Sequence, residues 1–120
     1  MLPKVYRQRY QDLQQALEQL QQSTTSVLDV PKFQKDLLET QQLFQQQILI
    51  LDADELDPKE EPQVRSYQTE IGKQLRLLGM DAMFLQAARK SETLQQRQIQ
   101  LSDRLVVLIG YCDALLGEKS

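Results

Sequence analysis

Apolar residues recur three and four positions apart along almost every segment of this chain, and that spacing limits the possible folds more than any other feature. Tyr6, Tyr10, Leu13, Leu17, Leu20, Thr24 and Val27 follow it without a break. They therefore share one face of an α-helix, with Gln, Arg and Glu around the remainder. The spacing predicts a first helix over about residues 4–27, with Tyr6 and Tyr10 at the edge of the core. Composition agrees, since 21 Gln and 21 Leu make up about a third of the 120 residues while Gly and Pro number four each. Gln and Leu are straight-chain helix formers that lose little rotamer freedom in a helix. This length suits one domain. A hydrophobic share of 41% suits a packed core and argues against disorder.

Asp29-Val30-Pro31 interrupts the first stripe. Pro is tolerated in a first helical turn and Asp sits well beside a helix start, so a second helix is predicted over about 31–51. Its stripe is Phe33, Leu37, Phe44, Ile48 and Leu51, widened by Leu38, Leu43, Leu49 and Ile50. So broad an apolar end should be buried between two neighbours, or partly against another chain.

Residues 52–62 hold two prolines, six carboxylates and one Lys. Calcium-loop spacing fails here: counted from Asp52, the fifth position is Leu56, the sixth is Asp57 instead of Gly, and the twelfth is Gln63 instead of Glu. The segment reads as a solvated acidic loop.

A third helix, predicted over 63–89, carries the stripe Val64, Tyr67, Ile71, Leu75, Leu78, Ala82 and Leu85. Leu77, Met80, Met83 and Phe84 widen it and read as core, although a Met-rich surface also binds adaptably. Gly72 and Gly79 share nearly one face, where they either admit a close backbone or sit as tolerated surface glycines. The last stripe, Leu94, Gln98, Leu101, Leu105, Leu108, Cys112 and Leu115, is out of register with the third helix. Continuing the earlier phase selects the poorer set Glu92, Gln95, Ile99, Ser102, Val106 and Ile109. A break at about 89–93, as a turn or a kink, thus precedes a fourth helix over 93–116. Four such helices imply an all-α antiparallel four-helix bundle with coiled-coil-like packing.

The absences restrict chemistry. Without His, the commonest neutral-pH base and metal ligand is missing. The lone Cys112, on a core stripe, reads as an inert buried thiol that forms neither an internal disulfide nor a Cys-rich metal site. No enzyme, cofactor or metal is expected. The apolar run Leu105–Cys112 is far shorter than the roughly 20 residues that span a bilayer, and Met1–Arg7 has no apolar signal core, so a cytoplasmic protein is expected.

The net charge of −3 argues against nucleic acid as a partner. Its distribution is uneven. Residues 1–51 are neutral, 52–62 carry −5 and 63–120 carry +2; within 63–90, five cations face two carboxylates. The basic third helix is therefore the expected interaction surface, with Arg65, Tyr67, Lys73, Arg76 and Met80 as candidate partner-binding residues. Lys73 and Arg76, one turn apart, are expected near Tyr67 and Met80, as a basic ridge beside apolar surface that takes an amphipathic or acidic peptide.

The run from Ser66 to Arg89, Ser-Tyr-Gln-Thr-Glu-Ile-Gly-Lys-Gln-Leu-Arg-Leu-Leu-Gly-Met-Asp-Ala-Met-Phe-Leu-Gln-Ala-Ala-Arg, resembles the PatD family of cyanobacterial heterocyst-frequency control proteins. Ser102-Asp-Arg-Leu105 and Leu108-Ile-Gly-Tyr-Cys112 extend the likeness, which is best over about 64–112. The resemblance implies a non-enzymatic regulator of heterocyst frequency and cell division whose partner is the tubulin-like protein FtsZ. Two other readings rest on the residues themselves. One is a helical adaptor that self-associates as a homodimer through the broad faces of the second and third helices. The other is a peripheral membrane protein using Lys4, Arg7 and Arg9 beside Tyr6 and Tyr10.

Overall fold

A computed structural model describes residues 2–25 and 27–117, and all regular structure among them is helical. Helix α1 spans Lys4–Ser23 and stops four residues before the stripe predicts. The cause is the Ser23-Thr24-Thr25 run. Its three hydroxyls donate to the carbonyls of Leu20, Gln21 and Gln22 at 2.6–2.7 Å, which satisfies the helix end locally. Val27, expected on the buried stripe, is consequently 98% exposed.

Helix α2 spans Val30–Leu43, with the Asp29 carboxylate accepting from the Lys32 amide and Pro31 in the first turn, as the sequence implies. It does not continue regularly to residue 51. Phe44–Ile48 form a wider π turn, closed by the Leu49 amide donating to the Phe44 carbonyl at 3.0 Å. Phe44 and Ile48 remain in the core, but Leu49 and Ile50 face outward, and Ile50 is 70% exposed. Leu43 and Leu51 pack against the core, so the uncovered part of the broad apolar end is its outer edge, Leu49 and Ile50.

The acidic segment is folded back onto the bundle. Asp52 and Asp57 use their carboxylates to accept from the amides of Asp54 and Lys59, each at 2.9 Å, and a short 3-10 turn covers Ala53–Glu55. Leu56 is buried, and the Tyr6 hydroxyl donates to the Asp52 carbonyl at 2.9 Å.

Helices α3 (Glu61–Ala87) and α4 (Ser91–Leu116) are separated by Ala88–Lys90, with Ala88 and Lys90 extended. The join is a full reversal: Arg104 of α4 reaches back to both Asp81 and Gln74 of α3. Gly117, at φ +72°, takes the left-handed conformation that ends α4.

Each helix packs on two others, in the cyclic order α1, α2, α3, α4. Cross-links fix the antiparallel directions. Arg7 at the start of α1 donates to the carbonyl of Leu116 at the end of α4, Gln98 donates to Thr24, and Gln34 near the start of α2 donates to Gln86 near the end of α3. The fold is the expected all-α bundle, about 50 Å long. Its core is built from Leu13 and Leu17, Phe33 and Leu37, Ile71 and Leu78, and Leu101, Leu105 and Leu108, at about 1.5–3 kcal/mol per buried side chain. Tyr6 and Tyr10 lie fully inside it instead of at its edge, which removes them from any membrane-facing surface. Leu94, on the predicted stripe, lies near the bundle end and is partly exposed, whereas Ile99 and Val106 of the rejected phase face solvent. No helix of the described residues is long and apolar enough to cross a membrane.

Candidate partner-binding groove

Along its contact with α2 and the π turn, the side of α3 facing them is incompletely covered. A groove of about 850 Å³ runs between α2 and α3. Its floor is Phe44, Gly72, Leu75 and Gly79, and Leu49, Met80 and Met83 form its apolar margin.

The two glycines shape this floor. A Cβ at Gly72 would meet the Phe44 ring at 3.5 Å, and one at Gly79 would meet the Gln41 amide nitrogen at 3.3 Å. Gly79 thus admits the Gln41 side chain close to the α3 backbone, whereas a Cβ at Gly72 would make an ordinary contact; the sequence left open a close backbone or no role at all. Over Gly79, Gln41 donates to the Leu75 carbonyl at 3.1 Å.

Arg65, Lys73 and Arg76 line the same groove, and no Asp or Glu is among the described residues that do. Arg65 is engaged by Glu61 at 2.7 Å in an exposed pair one turn apart, worth about 0.3–0.5 kcal/mol. Lys73 and Arg76 are exposed and have no ion-pair partner among the described residues. With Arg65 paired to Glu61, two unpaired cations thus stand together on a chain of net charge −3. Being exposed, these charges attract carboxylates through water, and that attraction weakens as salt rises.

Four of the five predicted site residues meet here: Arg65, Lys73, Arg76 and Met80. Tyr67 does not. Nine residues, or two and a half turns, separate it from Arg76, so it faces the other way. It packs half-buried against Tyr111 of α4, with ring centroids 5.7 Å apart. Met80, Met83 and Phe84, which read as core, are partly exposed instead; Met83 is the most open at 66%.

Arg89 and Lys90, just beyond the end of α3, are exposed and do not line the groove, and two cations of α4 are committed elsewhere. Arg97 lies 4.8 Å above the Phe84 ring, and Arg104 Nε donates to the buried Asp81 carboxylate at 2.5 Å. Sequence reading missed this pair because its members lie 23 residues apart across a chain reversal. Cys112 is fully buried, and burial, reinforced by the charges of Asp113 and Glu18, pushes its thiol up to about 12. That leaves it unreactive at neutral pH.

No curated protein and no solved structure matches the chain significantly. A family model does, over residues 11–106, a span containing α2, the acidic segment, all of α3 and hence the whole groove. With four-fifths of its length so matched, the chain belongs to the CRR41 C-terminal domain family.

Proposed function

We propose that this protein is a non-enzymatic regulator of heterocyst frequency and cell division, acting in the cytoplasm by binding FtsZ and altering its assembly. The resemblance to the PatD family supplies the partner. The observation that carries the binding mode is the α2–α3 groove, where three cations and no carboxylate flank an apolar floor. Such a surface fits an acidic, amphipathic segment: apolar side chains pack against Leu49, Met80 and Met83 while carboxylates meet Lys73 and Arg76. Assembly shifts if the free and polymerised forms of FtsZ are bound with different affinity. A protein role needs no catalytic constellation, and two carboxylates of the acidic segment, Asp52 and Asp57, already cap their own turns.

The test is titration of FtsZ, with and without its C-terminal tail, by wild type and by Lys73→Glu with Arg76→Glu. Both residues are exposed on the groove rim, so the melting transition should barely move. Affinity should fall by about tenfold or more, or roughly 0.7 kcal/mol for each reversed charge. Unchanged affinity removes the groove as the FtsZ site.

A further inference from the structure

We infer that the groove also binds a second copy of this chain, through the acidic, apolar segment at residues 49–57, in a reciprocal two-fold dimer. This rests on the groove described above but not on the identity of FtsZ as a partner.

Three observations carry it. First, the outer edge of the α2 end is only partly covered by the described residues: Leu49 is 49% and Ile50 70% exposed. Second, the exposed acids that follow, Asp52, Asp54 and Glu55, belong to a stretch carrying −5 over residues 52–62, while the groove bears Lys73 and Arg76 without counter-ions. The segment therefore offers apolar side chains beside carboxylates, and the groove offers an apolar floor beside cations. Third, the two surfaces adjoin, since Leu49 itself lines the groove. Adjoining complementary surfaces suit a closed two-fold interface, because one rotation places each copy's segment in the other's groove. A head-to-tail arrangement would leave one segment and one groove unfilled.

This dimer occludes the groove, so self-association competes with any acidic partner for Lys73 and Arg76. The monomer is then the form that binds, and protein concentration and salt set its share.

A charge-swap experiment on the isolated protein tests the inference without FtsZ, so its failure and that of the proposed function are separable. Wild type is followed by sedimentation velocity across concentration, first in about 0.01 M and then in about 1 M salt, which shortens the screening length from about 30 Å to about 3 Å. The groove-reversed variant carries Lys73→Glu and Arg76→Glu; the segment-reversed variant carries Asp54→Lys and Glu55→Lys. Wild type should dimerise at low salt, with at least about a tenfold loss of affinity at high salt. Each variant alone should be monomeric, and an equimolar mixture should form a heterodimer, because both contacts then pair opposite charges. A wild type still monomeric at about 1 mM in low salt, variants that dimerise like wild type, or a mixture that stays monomeric would each overturn the inference. Should a reversed variant fail to fold, Asp54→Asn with Glu55→Gln replaces it: weakened dimerisation supports the inference and unchanged dimerisation refutes it.

Discussion

The Asp81–Arg104 pair joins α3 to α4 and is the most deeply placed charge interaction among the described residues, so breaking it should be costly. Arg104 donates from Nε to Asp81 at 2.5 Å and from Nη1 to Gln74 at 2.7 Å. The Asp81 side chain keeps 10% of its surface exposed and that of Arg104 26%. Arg104→Met preserves the aliphatic stem but strands a carboxylate that water barely reaches. Removing one member of a buried pair typically costs 3–5 kcal/mol; because water retains access from the Arg104 side, the lower end applies, about 3 kcal/mol. For a chain of this size that corresponds to roughly a 10 °C lower Tm. Asp81→Leu alone should cost less, since the freed guanidinium can turn toward solvent. The double variant, Asp81→Leu with Arg104→Met, should lie within about 1 kcal/mol of wild type, because the desolvation penalty disappears with both charges. Urea unfolding followed by far-UV circular dichroism measures all four states of this cycle. A cost below about 1 kcal/mol for Arg104→Met, or additive single and double effects, would refute the reasoning.

Two further outcomes follow from burial. Leu105→Ala should cost about 2–5 kcal/mol through a core cavity, since Leu105 is fully enclosed; a loss under about 1 kcal/mol in the same urea assay would place it outside the core. Cys112 titrates at about 12 in the folded protein against an ordinary 9.0, so between those values the native state holds a proton that the unfolded chain releases. Its stabilising contribution is complete below about pH 9 and is lost as pH rises toward 12. Cys112→Ala should therefore flatten the alkaline limb of stability against pH by up to about 1.4 kcal/mol per pH unit, and an unchanged slope would contradict it.

Helix number, phase and antiparallel order were legible in the sequence because each depends on local, repeated information. An apolar residue every three or four positions declares a buried face, and Asp29-Pro31 and the phase slip before Leu94 mark where that face is reset. Helix ends were less legible. At Ser23-Thr24-Thr25 the hydroxyls compete with backbone donors, so α1 stops while the stripe still runs on to Val27. The excess of basic over acidic residues in the third helix could likewise be counted directly.

Only the tertiary structure decided which of those charges stand together and which apolar residues stay uncovered. Tyr67 was lost to Tyr111, and the α4 cations Arg97 and Arg104 settled on Phe84 and Asp81 of α3, because α4 packs on that side of α3. Lys73 and Arg76 stayed exposed and unpaired on the open margin of the α2–α3 groove, where no carboxylate of the described residues lines it. Periodicity along a chain states that a face is apolar or basic; whether another helix reaches far enough to cover it depends on where that helix ends in space.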